Sequence, residues 1–556
     1  MSTPTPALVT HRGAVALPRL ALLLFCAAYV VPGLLGRDPW RNAELTAYGV
    51  MSAMAEGRTS WLTPTLGGVP VDTALLPHWL GALSISLLGP WVGAPLAGRL
   101  PFALLLVATL ALTWYAAFHL ARTEAAQPVA FAFGGEADPV DYARAIADGA
   151  LLALIATLGL LQLGHETTPE LAQLAAVAGV LWALAAAPYR PRATRAALLM
   201  SLPLLSACGA PAIAVAVGAT GTLVCARSGY AQVQRLAGWV AAATVFGGLV
   251  AWATGNWRWR IASGLQADDL WTIARQWAWF LWPVWPAAIW TLWRWRRHLQ
   301  HRHVSVPLTV VLAALLANVL MGGSDRALML ALPAMAILAA FALPTLRRSA
   351  SAAIDWFSMC LFTAAALTIW VIYVAMQTGV PAQPAANVAR LAPLFNPAFS
   401  AADLCAALLA TLAWLWLLRW RTGRHREAVW KSMVLPAGGV ALSWLLLMSL
   451  WRPLLDHARS AEPWVAALRP HVHSPRCIAA PGLAAPLVAA LEVHGHWRVI
   501  ADPLAAAQAD CPLRLSLVSN GVASVSPPGP GWQAEATVAR PTDRDELTTV
   551  WRRLAP

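Results

Sequence analysis

Long apolar segments separated by short polar ones run along most of the chain. A membrane-spanning helix needs about 20 predominantly apolar residues to cross a hydrocarbon core about 30 Å thick. The pattern predicts an all-α polytopic membrane protein with about 13 transmembrane helices. The approximate limits of the thirteen segments are 15–35, 97–120, 145–164, 170–187, 196–208, 211–225, 236–253, 277–295, 304–321, 327–345, 354–376, 402–418 and 433–451.

Two places leave the number of spans open. Segments 196–208 and 211–225 are separated only by a Gly-Ala-Pro turn and could form one kinked helix, but their length favours two helices joined on the outer face. Residues 77–91 could add a further span. The positive-inside rule decides against this span, because short cytoplasmic loops collect Arg and Lys. With residues 77–91 lying flat along the interface, all the main basic clusters fall on the side of the N-terminus; they begin at Tyr189, Arg294, Arg347 and Arg419.

This orientation predicts a multi-pass inner-membrane protein with a cytoplasmic N-terminus and residues 452–556 in the periplasm. The last 105 residues contain two strand-like stretches, CIAAP and LRLSLVSN, around a helix-like PLVAALEVHG. They predict a small α/β extracytoplasmic domain after a membrane domain of residues 1–451. In an oxidising compartment Cys477 and Cys511 could form a disulfide.

Composition supports a membrane protein and excludes a soluble one. Hydrophobic residues make up 59% of the 556 residues and charged residues 12%, against about 25% charged in soluble domains. The formal charge of +13 comes from Arg residues in short clusters between apolar segments. Such clusters indicate the orientation of the chain in the membrane, where its partners are membrane lipids, and they predict no nucleic-acid partner. The abundant Trp residues are typical of an interfacial aromatic belt, which we favour over a sugar-binding platform.

The candidate chemistry lies in the first outer loop, residues 36–96. Connections of this length are usually functional, and this one contains Asp38, Glu44 and Asp72. Residues 42–56 have helical character, and a Gly-Gly-x-Pro sequence then breaks the helix. The spans are almost free of ionisable residues, which counts against an ion-coupled transporter.

Residues 37–105 resemble the polyprenyl-phosphate-dependent glycosyltransferases of the GT-C fold, especially the group of the aminoarabinose lipid A transferase and the protein O-mannosyltransferases. Weaker similarities follow near Gly164, Leu204 and Gly322. The motifs that carry the resemblance are RDPW at Arg37, Glu44 and Tyr48, a turn at Met54–Gly57, WLTPTLGGVP from Trp61, then Pro77, Trp79, Gly89 and AGRLPFALL from Ala97.

The resemblance implies an enzyme that takes a sugar from a polyprenyl-phosphate donor and passes it, with inversion, to a lipid, glycan or protein acceptor. In such enzymes an acidic residue of the first loop acts on the acceptor hydroxyl and basic residues hold the departing phosphate. Inversion requires a carboxylate near the attacking hydroxyl and cations at the leaving group.

The sequence departs from the family pattern at three positions. Ala43 stands where the family usually has the catalytic aspartate, so Glu44 or Asp38 would have to be the base. The acidic-Lys-Pro-Pro motif keeps its acid as Asp72 but loses the lysine, and a second expected lysine is Cys208. A catalytically inactive relative is therefore the main alternative, and a transporter the third.

The predicted catalytic residues are thus Glu44, Asp72 and Asp38. Two of them have a structural alternative: Glu44 as a carboxylate at a helix start and Asp72 as a turn former. Asp325 and Arg326 could likewise simply pair with each other. His165 with carboxylates such as Asp72 could bind a divalent metal, but no ligand spacing is diagnostic. The predicted substrate-binding residues are Arg37, His165, Glu166, Arg326, Arg258 and Arg260.

Overall fold

The structure is a computed structural model. It describes residues 7–40, 42–257, 261–262, 266–423, 428–473, 477–519, 522–541 and 543–554.

The described part of the chain before residue 451 contains nineteen α-helices, four short 3-10 helices and one small hairpin. The hairpin pairs β1 (Thr65–Leu66) with β2 (Val69–Pro70) antiparallel inside the first loop. The helices are α1 (Arg19–Val30), α2 (Ala43–Ala55), α3 (Leu75–Val92), α4 (Ala94–Ala121), α5 (Pro139–Ile155), α6 (Leu158–Leu163), α7 (Pro169–Ala186), α8 (Pro191–Ala207), α9 (Pro211–Ala226), α10 (Ala231–Ala253), α11 (Ala267–Phe280), α12 (Val284–Arg294), α13 (Arg302–Leu320), α14 (Asp325–Met329), α15 (Leu332–Ala342), α16 (Arg348–Thr378), α17 (Ala382–Leu391), α18 (Ala401–Thr422) and α19 (Val434–Leu450).

Every one of the thirteen apolar segments is helical, so the predicted fold class is confirmed. Within the described ranges eight helices are long and apolar enough to cross a membrane, and shorter apolar helices such as α1, α9 and α15 add to them. Segments 196–208 and 211–225 form the separate helices α8 and α9, joined at Gly209 with φ +92°. Helix α3 also has the length of a span, and its position along the interface stays a prediction.

The centre of the bundle is formed by α5, α7 and α15. Nearly all residues of these three helices are buried, on every face of each helix. A helix that is hydrophobic all round needs partners on all sides, and α4, α12 and α13 pack around this centre. The first loop then lies at the end of the bundle where α1 ends and α4 begins.

The remaining residues form the small C-terminal α/β domain that the sequence predicts. Its sheet has the order β4-β3-β5-β8-β7, with β6 also pairing with β5; β3 is parallel to β4 and β5, and the other pairs are antiparallel. Cys477 and Cys511 form a disulfide. The elements are α20 (Arg452–Arg459), α21 (Glu462–Leu468), β3 (Ile478–Ala479), α22 (Ala485–His494), β4 (Val499–Ile500), α23 (Pro503–Gln508), β5 (Leu513–Ser519), β6 (Val522–Val525), β7 (Trp532–Arg540) and β8 (Asp543–Arg553).

The C-terminal domain covers the first loop. Gly49 of α2 packs against α22 so closely that an added Cβ would lie 2.6 Å from the Cβ of Ala489. At the hairpin, the Ala501 N–H donates to the Gly67 carbonyl at 2.7 Å, and Arg58 forms an ion pair with Glu492 at 2.6 Å. The loop and the domain therefore lie on the same side of the bundle.

Candidate active site

The chain turns sharply between α1 and α2, and this turn brings Arg37 back over the end of α1. Gly36 has φ +67°, a left-handed conformation that favours glycine. The Arg37 guanidinium then donates from Nε to the Gly33 carbonyl at 3.2 Å and from Nη2 to the His165 carbonyl at 3.0 Å. The turn thus joins the first loop to the connection between α6 and α7.

Arg37 and Glu44 form a buried bidentate ion pair. Nη1 donates to Oε2 at 2.7 Å and Nη2 to Oε1 at 2.6 Å, and each side chain is 1% exposed. The Trp40 backbone N–H also donates to Glu44 Oε2, at 3.0 Å. Burial opposes the charged carboxylate, but Arg37 and Arg99 hold the pKa of Glu44 below its usual range. Glu44 is therefore an ionised acceptor that is already fully engaged.

Arg99, in the first turns of α4, adds a second guanidinium to this pair. Its Nε lies 3.9 Å from Glu44 Oε1, and the side chain is 4% exposed. Its Nη2 is buried with no hydrogen-bond partner among the described residues. Arg99 also lines a small cavity with Phe102, Thr167 and Leu171. One carboxylate thus contacts two guanidiniums, the charges of Asp38 and Asp456 lie close to Arg99 as well, and one donor is left free at this cavity.

Trp40 connects the ion pair to the C-terminal segment. Two guanidiniums lie against its ring, Arg37 4.5 Å and Arg459 5.0 Å from the ring centroid. Such cation–π contacts stabilise by about 0.5–2 kcal/mol each. The indole N–H donates to Asp456 Oδ1 at 2.9 Å. Residues 40 and 460 also form an antiparallel bridge, so α20 is fixed against the start of the first loop.

Two carboxylates lie side by side at this junction. Asp456 Oδ1 accepts from the Asp38 backbone N–H at 3.4 Å, and Asp38 Oδ2 accepts from the Ser460 hydroxyl at 3.1 Å. Burial raises the pKa of Asp456 to about 6, and the neighbouring Asp38 adds to this shift. Asp38 is only partly buried, so of the carboxylates at this junction it is more accessible than Glu44.

A second arginine cluster lies nearby, around Arg326. Its guanidinium donates to Glu166 at 2.6 Å, to the Thr168 hydroxyl at 2.9 Å and to Glu170 at 3.2 Å. The expected pairing of Arg326 with Asp325 is wrong, because the two carboxylates at the start of α7 satisfy Arg326. Asp325 instead accepts from the Gln276 side chain.

The two clusters are linked by a chain of polar contacts. Gln162 accepts from Arg459 at 2.5 Å and donates to Glu166 at 3.0 Å. His165 is fixed between them: its Nδ1 and Nε2 lie 2.7 and 2.8 Å from the carbonyl oxygens of Leu161 and Tyr29. Both ring nitrogens thus face backbone carbonyl oxygens, of which a neutral imidazole can donate to only one, and His165 supports the wall of the site.

The remaining predicted residues lie elsewhere. Asp72 is exposed, on the stretch between β2 and α3, and lies outside the buried group. Arg258 and Arg260 fall outside the described residues. Among the side chains that the structure describes, no three His, Cys, Asp or Glu residues come together in a group suited to a metal ion.

Sequence reasoning missed Arg99, Asp456 and Arg459. Arg99 carried a usable signal, because a charged residue near the start of a long apolar helix is rare and often functional. No local signal marks Asp456 or Arg459, which reach Trp40 from more than 400 residues away.

Comparisons with known proteins match the fold. No family model and no curated protein matches the sequence. Among solved structures, the chain is similar to ArnT from Cupriavidus metallidurans bound to undecaprenyl phosphate, with a TM-score of 0.56, 14% identity, and coverage of 96% of this chain and 97% of that chain. The apo state of the same protein gives a TM-score of 0.59, 16% identity, and coverage of 96% and 98%. The chain therefore has the fold of ArnT, the GT-C architecture that the sequence resemblance implied.

Proposed function

We propose that the protein is a membrane glycosyltransferase that moves a sugar from a polyprenyl-phosphate carrier to a hydroxyl acceptor. The observation that carries this proposal is Arg99, a buried guanidinium with a free Nη2 at a cavity beside the Arg37–Glu44 pair. A guanidinium with a free N–H is suited to a phosphate oxygen. The cavity holds only about 10 Å³, the space of one water, so it must widen when a phosphate binds. The fold supports the same function, since one of its structural neighbours is bound to undecaprenyl phosphate.

In the proposed reaction the bond between the anomeric carbon and the phosphate oxygen breaks, and a bond to the acceptor oxygen forms. The polyprenyl phosphate leaves with the bonding electron pair, and the acceptor proton passes to a carboxylate base. Arg99 would stabilise the negative charge on the departing phosphate, a role for a preorganised donor that is typically worth about 10²–10³ in rate.

We assign the base role to Asp38 rather than to Glu44. Both Glu44 oxygens accept from Arg37, and the Arg37 charge holds its pKa low. A group in that state is a poor proton acceptor and is shielded from an acceptor substrate. Asp38 is adjacent to Arg37, partly exposed, and held by the Ser460 hydroxyl at 3.1 Å. Glu44 would instead fix the position of Arg37.

The proposed site faces the periplasm, with the N-terminus in the cytoplasm and the C-terminal domain above the first loop. The acceptor hydroxyl belongs to a lipid, a glycan or a protein. Residues 1–451 would form the catalytic membrane domain, and residues 452–556 would contribute Asp456 and Ser460 to the support of the base.

The test is sugar transfer by the purified protein from a polyprenyl-phosphate-linked sugar. We expect Arg99→Gln and Asp38→Asn to lose most of the transfer, and Glu44→Gln and Asp72→Asn test the other two predicted carboxylates. Arg144→Gln is the matched control, because this exposed arginine forms only a surface pair with Asp141 at 3.2 Å. Full transfer by Arg99→Gln and Asp38→Asn would refute the site.

The second candidate is a catalytically inactive relative that binds the lipid carrier without transferring the sugar. Ala43 and the complete engagement of Glu44 by Arg37 favour it. The two candidates differ in one measurement: the inactive relative binds a polyprenyl phosphate in a manner that depends on Arg99, yet transfers no sugar.

A further inference from the structure

A cavity of about 630 Å³ lies between the first loop and the C-terminal domain. This volume is within the range of small-molecule sites, about 300–1,000 Å³. The end of α2, the β1–β2 hairpin, and strand β4 with the loop before it form the walls. Helix α2 has 13 residues, so its ends are ~20 Å apart, and the Arg37–Glu44 pair lies at the other end. The cavity is therefore separate from the candidate active site.

Two carboxylates and the arginine that they share line this cavity. Arg58 donates from Nε to Glu56 Oε2 at 2.7 Å and from Nη1 to Glu492 Oε2 at 2.6 Å. The other oxygen of Glu56 accepts from the Ser52 hydroxyl at 2.6 Å, and that of Glu492 accepts from the Gly67 N–H at 3.3 Å. An ionised carboxylate has about four acceptor sites. Each of the two carboxylates is thus fixed in position and still has acceptor capacity for a ligand.

The loop after α22 places an aromatic ring, that of Trp497, in the wall of the cavity. His496 has φ +54°, which is uncommon for a residue other than glycine. The chain turns there, so that the N–H groups of Gly495 and Trp497 both donate to the Leu491 carbonyl, at 3.1 and 3.3 Å. The half-buried ring packs on Gly495, where an added Cβ would lie 2.5 Å from it. A flat apolar surface and two carboxylates thus line the same cavity.

We propose that this cavity binds a sugar unit of a neutral glycan. Sugar hydroxyls would donate to Glu56 and Glu492, and the C–H face of the sugar ring would pack on Trp497. Arg498, exposed at the rim, can donate to the sugar oxygens. An anion would be repelled by the two carboxylates, and a cation would have to displace the guanidinium that they already hold. The proposal concerns binding alone and does not rest on the proposed sugar transfer.

Saturation-transfer NMR on the full-length protein tests the class of ligand. The protein is placed in nanodiscs, because detergents with a sugar headgroup would compete for the cavity. The probes are three neutral trisaccharides (maltotriose, cellotriose and mannotriose), the anionic trigalacturonate and the cationic peptide trilysine. At least one neutral trisaccharide should bind, with the strongest transfer at its ring C–H protons. Binding of trigalacturonate or trilysine alone, or of none of the probes, would overturn the proposal.

A substitution of the aromatic ring tests whether the sugar binds in this cavity. Trp497→Leu keeps an apolar side chain but loses the flat ring, so the affinity for the trisaccharide should fall about tenfold. Trp532→Leu is the matched control, because Trp532 is also half-buried but lies on β7, at the opposite edge of the same sheet from β4. Equal affinities of the two variants would place the bound sugar elsewhere and refute the site.

A second variant blocks the cavity without touching its ion pairs. Ala505 of α23 is exposed and lines the cavity, so Ala505→Phe should abolish trisaccharide binding at an unchanged melting temperature. Ala507→Phe is the matched control, since Ala507 is exposed on the same helix and lies outside the described lining. Binding by Ala505→Phe, or loss of binding in both variants, would contradict the proposal. Sugar transfer is not measured, so neither result bears on the proposed function.

Discussion

Two arginine clusters lie on the same face of the bundle and differ in how completely their charges are matched. Arg326 has two carboxylates and a hydroxyl for its guanidinium, whereas Arg37 and Arg99 share the single carboxylate of Glu44. The Arg326 cluster, the second in chain order, has the complete partners of a structural ion pair. The first cluster, that of Arg37 and Arg99, is buried more deeply yet keeps a donor free. The proposed site for an anionic substrate is therefore distinguished by guanidiniums that lack a full set of partners. The number of arginines alone does not indicate such a site.

The largest difference is expected when a carboxylate is removed from each cluster. Glu44→Gln leaves two buried guanidiniums without the carboxylate that they share, and breaking a buried pair in this way costs about 3–5 kcal/mol. Glu166→Gln leaves Arg326 with Glu170, and this arginine is 24% exposed, so the loss should be about 1 kcal/mol. Thermal unfolding in detergent compares the two variants. Equal losses would mean that the clusters are equivalent.

Removal of the arginines should reverse this order of stability. Arg99→Gln removes an incompletely paired buried charge, so we expect stability within about 1 kcal/mol of wild type but about a hundredfold loss of sugar transfer. Arg326→Gln leaves two carboxylates facing each other and should destabilise with a smaller loss of transfer. The measurements are melting temperature and initial transfer rate. A stable Arg99→Gln variant with normal transfer contradicts the assignment of Arg99.

The junction next to the first cluster should show a pH dependence. Because the pKa of Asp456 is raised to about 6 in the folded protein, the folded state binds more protons than the unfolded state between about pH 4 and pH 6. Stability should therefore fall by about 2 kcal/mol as pH rises through this range and then level off. Asp456→Asn keeps the acceptor for the Trp40 N–H and should remove this fall. Melting temperature measured against pH is the test, and an identical profile in the variant would contradict it.

The smallest effect is expected at the ring that joins the two clusters. Trp40→Phe keeps an aromatic face for Arg37 and Arg459 but loses the 2.9 Å hydrogen bond to Asp456, which is worth about 1 kcal/mol. Trp91→Phe serves as the control, because Trp91 is 84% exposed. The melting temperatures of the two variants should differ by about one degree in favour of the control, because a loss of this size shifts the melting temperature of a large protein only slightly.

The sequence predicts the helices well, because apolar length and period are local properties. The thirteen apolar segments, the helix of the first loop and the strands around α22 all follow from patterns within about 20 residues. The ion pair of Arg37 and Glu44 was missed although both residues were named, since their pairing depends on the turn at Gly36. Asp456 could not be assigned at all, because nothing near it in sequence indicates a partner 416 residues away.

Because Trp40 and Ser460 form a backbone bridge, the site can be completed only after residue 460 has been synthesised. Residues 37–44 leave the ribosome early. Ser460, which forms the bridge with Trp40, and Asp456, which accepts from the Trp40 indole N–H, are translated only after all the helices of the bundle. A nascent or truncated protein that stops at α19 would have its membrane part and still lack these supports. The first loop would then reach its final conformation last, which would keep immature chains from carrying out the proposed transfer.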